Sequence, residues 1–193
     1  MMPYYYFHPS DGNNAMRQDL NMKRRNQPFK SIVFVFFVFF FIWVFLQFLA
    51  PFMIPPGTAI DLSGSVGISD NDVVFRNMSF PWGNLYSLGD RLCHQKQERS
   101  WLLNQNQMPF CVRCTAIWIG LAIGLLFMVV YTLELNEKFF FVILLSLIPL
   151  GVDGIGQLLG FWESTNIVRF LTGMPAGLVC GILTFAAERS FLD

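Results

Sequence analysis

The sequence predicts an all-α membrane protein, with four transmembrane helices and one long, partly ordered extramembrane loop between the first and second. Three observations predict it. Charged residues make up only 13% of the 193 positions, about half the usual share in soluble domains, while 54% are hydrophobic and 22 are Phe. Four long stretches are almost free of charge. Between the first two lies a polar segment rich in Pro, Gly and Cys, whereas the later connections are short. Thirteen basic against thirteen acidic side chains give a formal charge of zero, so no nucleic-acid partner is expected. So apolar a chain can bury ample surface, which excludes disorder over most of its length.

Residues 1–30 carry Asn, Gln, Pro and Gly without apolar periodicity and read as a disordered polar, basic tail. Residues 31–54 are uncharged over 24 positions, about 36 Å as a helix, enough to cross a hydrocarbon core of about 30 Å. The β-branched and aromatic content suits a strand in water, but a lone strand in lipid leaves its backbone unsatisfied, so a helix wins. The run exceeds the apolar core of a signal peptide, and Pro51, Pro55 and Pro56 follow it, so an uncleaved anchor is expected. Lys23, Arg24, Arg25 and Lys30 at its entrance place the N-terminus in the cytoplasm, and an even number of spans returns the C-terminus there.

Residues 55–113 form the loop. Ala59–Met78 alternates in places and suggests a short hairpin, and Phe80–Cys93 reads as an amphipathic interfacial helix. The three-helix core follows over residues 114–193. Thr115–Leu133 is uncharged, Phe139–Gly160 is apolar except for Asp153 and Gln157, and Arg169–Ala187 runs apolar after its first residue. Connections of five and eight residues make these spans consecutive antiparallel neighbours. Gly120/Gly124, Gly156/Gly160 and Gly173/Gly177/Gly181 recur at i, i+4 and suggest close packing seams, open also to a second copy of the chain.

The chemistry concentrates in Cys93-His94-Gln95, Glu98-Arg99-Ser100 and Cys111-Val112-Arg113-Cys114. The C-x-x-C spacing lets two sulfurs converge on one ion or on each other. Cys93, His94, Cys111 and Cys114 together offer a Cys₃His set for zinc. A structural disulfide, a dithiol that cycles through redox states, and inert buried thiols are the competing readings; the isolated Cys180 is read as a packing residue. A second cluster sits in the membrane. Asp153 lies about 21 Å along its helix from Phe139, and an intramembrane carboxylate is costly unless paired or wet. Gln157 is one turn on. Ser164, Asn166, Arg169 and Thr172 lie across the short turn, so an Asp153–Arg169 pair completed by Gln157 and Asn166 is expected, either as polar glue or as a ligand site. Span order brings Cys111, Arg113 and Cys114 to the same membrane face as Asp153, Asn166 and Arg169.

Cys-His-Gln, then Glu-Arg-Ser, then Met108-Pro109-x-Cys111-x-Arg113-Cys114-Thr115 running into Ile117-Trp118-Ile119-Gly120 resembles the small predicted membrane proteins of domain of unknown function 2085. The resemblance continues in Asp153-Gly154-x-x-Gln157, Ser164-Thr165-Asn166-x-x-Arg169 and Thr172-Gly173, and departs at Ala116, where the family pattern has glycine. It covers Tyr86 to Gly181 and implies an architecture and a motif set, with no activity carried over. Read together, the residues suggest a multi-pass integral membrane protein. A zinc-binding Cys/His loop would stand over a polar site of Gln95, Arg99, Arg113, Asp153, Gln157, Ser164, Asn166, Arg169 and Thr172. That site would bind an anionic lipid or lipid-linked ligand. A metal-dependent enzyme acting on a lipid-linked substrate, or a small transporter or channel subunit, are the alternatives.

Overall fold

The structure, a computed structural model, describes residues 10–62, 67–131 and 137–190. Helix α1 spans Ser10–Met53, α2 Asp72–Arg76, α3 Trp82–Leu92, α4 Val112–Val130, α5 Glu137–Leu158 and α6 Asn166–Ser190. A two-stranded antiparallel hairpin, β1 Leu102–Leu103 with β2 Asn106–Gln107, precedes α4. Among the described residues, four helices are long and apolar enough to cross a membrane: α1 from Lys30, α4, α5 to Leu158 and α6 to Thr184.

Two expectations need correction here. Helix α1 starts at Ser10, so Ser10–Lys30, expected as part of a disordered tail, is helical backbone; residues 1–9 lie outside the described residues. Once a span is nucleated in lipid, each further residue adds one hydrogen bond for one pair of dihedrals, and the helix propagates. The hairpin expected within Ala59–Met78 is replaced by the short helix α2, although residues 63–66 lie outside the described residues. The loop's hairpin sits instead at Leu102–Gln107. Asn104 (φ 50°) and Gln105 (φ 58°) take left-handed backbone in its two-residue turn, the twist that matches the flanking strands.

That hairpin fastens the loop to the membrane helix. Pro55 has no N–H to offer the Pro51 carbonyl four residues back. The side-chain amides of Asn106 (2.9 Å) and Asn104 (3.2 Å) donate to that carbonyl instead. Asn106 also donates to the Pro55 carbonyl at 3.1 Å and accepts the Ala59 N–H at 3.0 Å. Gln107 continues the knot: its N–H donates to the Ala59 carbonyl at 2.7 Å, and its carbonyl accepts the Tyr86 hydroxyl at 2.6 Å. Asn106 and Gln107 are both fully buried, and every bond here replaces one with water.

Helix α3 buries Trp82, Leu85, Tyr86 and Gly89, one face at i, i+3, i+4 and i+7. It packs into a cluster with Phe75, Phe110 and Cys111, with Ala50 of α1 and with Ile54 just beyond that helix. In the membrane, α1 lies on α4 through Trp43, Phe40 and Trp118, with ring centroids 5.5–6.0 Å apart, and through a hydrogen bond of 3.2 Å from Thr115 to Gln47.

The tightest seam joins α4 to α6, which run parallel. A Cβ on Gly120 would strike the Met174 carbonyl, one on Gly124 the Leu178 carbonyl, one on Gly177 the Ile117 carbonyl and one on Gly181 the Leu121 carbonyl. Gly173 approaches the Arg113 carbonyl, which a Cβ would meet at 2.9 Å. These two glycine rows therefore close on each other within one chain and leave no face there for a second copy. Gly156 serves otherwise: the Trp162 ring fills the space of its missing Cβ, while nothing stands within 4 Å of a Cβ on Gly160. The expected Gly156/Gly160 helix seam is thus a notch for one aromatic ring. Helix α5 turns Phe141, Val142, Leu145, Ile148, Val152 and Ile155 outward.

Candidate metal centre and basic patch

Three chain segments converge where α1 ends and α4 and α6 begin. Cys93 closes the C-terminus of α3, Cys111 is the residue before the first turn of α4, and Cys114 lies in that turn. Gln95 sets their approach. Fully buried, it donates to the carbonyls of Tyr86 (2.9 Å) and Pro109 (2.5 Å), bracing the strand that leads into Phe110-Cys111 against α3. Gly89 permits this contact, because a Cβ there would collide with the Pro109 carbonyl.

The sulfurs of Cys93, Cys111 and Cys114 lie within 4.8 Å of one another, and the Cys111 N–H donates to the Cys93 sulfur at 3.2 Å. All three are unbridged, with Cys93 and Cys111 buried and Cys114 half-buried. Hydrogen bonds from the Cys114 and then the Cys93 thiol pull the Cys111 thiol well below its ordinary range, outweighing burial, and the backbone N–H groups of Cys114 and Arg113 assist. Cys93 is pushed up by its bonds to Cys111 and to Cys114 and by burial.

His94 is not part of this group. Cys93 is extended (φ −141°, ψ 153°), so its neighbour projects to the opposite side, and His94 is exposed. The expected Cys₃His set is corrected to three sulfurs. A tetrahedral zinc with Zn–S bonds of about 2.3 Å sets its sulfurs about 3.8 Å apart, so contraction by under about 1 Å would seat an ion. Cys180, expected to be buried packing, is exposed on α6.

The carboxylate of Asp153 is buried, and its partner is Arg113, not Arg169. Arg113 projects from the first turn of α4 between the two cysteines, so one residue links the sulfur cluster to the intramembrane acid. It also donates to Gln157 at 3.3 Å. Ser164 (3.1 Å) and the Trp162 indole N–H (3.4 Å) complete the shell of Asp153. Arg169 turns the other way, toward the loop. Its Nη1 donates to the Glu98 carbonyl at 3.0 Å and to the Asn166 side chain at 2.9 Å, and Asn166 in turn donates to the Ser100 carbonyl at 3.4 Å. The expected Asp153–Arg169 pair fails because Arg113 reaches the acid first and the loop offers Arg169 closer acceptors.

Two further residues expected in the site make bonds to backbone carbonyls. Gln95 has both donors on backbone carbonyls. Thr172 bonds back to the Val168 carbonyl of its own helix at 2.9 Å. Arg99, with its side chain 21% exposed, stands 4.0 Å from Glu98, and the charges of Arg99 and Arg113 and the Cys111 sulfur lie within electrostatic reach of Arg169. Sequence reasoning passed over Trp162, although Gly156 six residues before it marks the space its ring needs. It passed over Glu163, whose carboxylate lies 3.9 Å from Arg169, and over Gln47, the lone amide in the first span.

Residues 93–183 match the profile of a family described as predicted membrane protein, domain of unknown function 2085. An uncharacterised protein of Methanothermobacter thermautotrophicus is 37% identical over 101 residues, 52% of this chain and 91% of that protein. An uncharacterised protein of Methanocaldococcus jannaschii is 36% identical over 100 residues, 48% of this chain and 61% of its own length. No solved structure matches the chain.

Proposed function

The chain belongs to the family of predicted membrane proteins designated domain of unknown function 2085, and we propose that this member is a membrane-embedded metal-binding module. In this reading a zinc-like thiolate centre of Cys93, Cys111 and Cys114 stands over a basic patch that takes an anionic, lipid-linked ligand. The observation that carries it is the meeting of three sulfurs from two separate segments within 4.8 Å, at the membrane face of four spans. Charge supports the ion. Three thiolates around one divalent metal keep a net charge of minus one, and the Cys111 sulfur and the Arg99 and Arg113 charges all lie within electrostatic reach of Arg169. The sequence-based orientation puts both termini in the cytoplasm and the centre on the opposite face.

A second reading has one observation of its own. Three sulfur ligands leave a tetrahedral ion one open position, the arrangement of catalytic rather than structural zinc, which favours a metal-dependent enzyme acting on a lipid-linked substrate.

Elemental analysis of the full chain purified in detergent tests both. About one zinc per chain is expected, falling below about a tenth of that in Cys111→Ser and in Cys93→Ser and staying unchanged in His94→Ala. Wild-type protein without stoichiometric metal, with all three thiols open to labelling before and after chelator treatment, would overturn both readings.

A further inference from the structure

Arg169 is 2% exposed, one of the largest fully buried side chains in the molecule, yet only part of its guanidinium is satisfied. Nη1 is spent on the Glu98 carbonyl and Asn166. Nε and Nη2 are both buried and have no hydrogen-bond acceptor. These two N–H groups form one edge of the planar fork, side by side, at the spacing that meets two oxygens of a single oxyanion. A buried guanidinium with an empty edge is costly, and ordinary packing gives no reason to keep one. The nearest acid, Glu163, stands 3.9 Å from Nη2, beyond hydrogen-bond length, and its side chain is 77% exposed. Arg99 and Arg113 each bury an Nε without an acceptor as well, and the Arg99 charge lies within electrostatic reach of Arg169. Arg113 differs in its charge pairing: its Nη2 donates to the Asp153 carboxylate and to Gln157.

We propose that the Nε/Nη2 edge of Arg169 seats one phosphate group, with Arg99 as second cation and Glu163 as a tethered carboxylate that the phosphate displaces. Nη1, pinned between the loop and the first turn of α6, orients the fork. The two Arg charges suit a phosphate, which spreads negative charge over several oxygens, better than a carboxylate carrying a single charge on two. The group is either free phosphate or the headgroup of a lipid, whose chains would run along the outward faces of α5 and α6. This assignment rests on reading the patch as an anion site and is independent of the metal.

The test uses the full chain in two settings: detergent micelles titrated calorimetrically with inorganic phosphate, and nanodiscs with and without phosphatidic acid, read by native mass spectrometry. Wild type is expected to bind at least one probe. Arg169→Lys keeps the charge and loses the fork, and should weaken that binding by about tenfold or more. Glu163→Gln removes an exposed competitor and should tighten it roughly threefold. Binding of phosphate alone supports a soluble ligand, and binding of phosphatidic acid alone a lipid. Unchanged affinity in a folded Arg169→Lys overturns the fork while the anion patch survives through Arg99. Should Arg169→Lys fail to fold, the exposed Glu163→Gln decides, and an affinity no tighter than wild type overturns the proposal. Wild type that binds neither probe overturns both the fork and the patch.

Discussion

Asp153 shows what one residue costs and gains in this setting. Its buried carboxylate is stabilised by a guanidinium from α4 and by a hydroxyl and an indole N–H from the turn between α5 and α6. Asp153→Asn keeps the shape and removes the charge, leaving Arg113 part-buried without its counter-ion. Fully buried pairs broken this way lose about 3–5 kcal/mol; with Arg113 at 22% exposure a loss of about 2–3 kcal/mol is expected, read as a fall in thermal unfolding temperature in detergent. Residue types at this scale were legible, since an acid in an apolar span and a C-x-x-C pair announce themselves. Their pairings were not. Two arginines lay within reach of Asp153 in sequence terms, and only the parallel placement of α4 beside α6 decides for Arg113. Gln95 illustrates the converse: polar, beside the cysteines and inside a motif, it braces the loop through its amide nitrogen, which donates to two backbone carbonyls, while its Oε1 is buried without a partner.

Glycine spacing at the scale of helices carried information of unequal quality. Gly120/Gly124 and Gly173/Gly177/Gly181 do form a seam, and the physical sign is backbone carbonyl where each Cβ would be. Gly177→Leu should force α4 and α6 apart and cost about 3 kcal/mol or more, seen as loss of the monodisperse peak in size-exclusion chromatography. Gly154, with open space at its Cβ, is the control: Gly154→Ala should be neutral or stabilising by about 0.5 kcal/mol in the same assay. The spans themselves were readable from charge-free runs to within a few residues at their loop-facing ends. The hairpin was misplaced because its strands are only two residues long. What holds it is not alternation but Asn104 and Asn106 answering the carbonyl that Pro55 cannot reach. A proline two residues beyond the end of a span, followed later by an Asn-rich turn, is a signal that periodicity overlooks. Asn106→Leu removes the Asn106 amide from this knot and should loosen the loop, raising amide exchange at Ala59 and Gln107 by about tenfold or more while the spans stay protected.

Across the whole molecule, all the chemistry gathers at one end of the helical bundle: the C-terminal end of α1, the N-terminal ends of α4 and α6 and the C-terminal end of α5. The N-terminal end of α1 and the C-terminal end of α6 then lie at the other end. Tags fused to each terminus should be cut by the same externally added protease only in inverted vesicles, whereas a cysteine introduced at the exposed His94 should react with an impermeant reagent from outside. Tags cut from outside would reverse the orientation. The order of the spans was readable from connection lengths. Which helices touch was not, since sequence neighbours α4 and α5 share less than the non-consecutive pair α4 and α6.

That non-consecutive pairing has a consequence for how the chain is made. Gly120 is synthesised more than fifty residues before the Gly177 face that covers it. At about 5–20 residues per second, the furrow on α4 stays bare in the bilayer for roughly 3 to 10 s. Translation speed through α5, as well as the final fit, therefore governs how long the nascent chain remains half zipped.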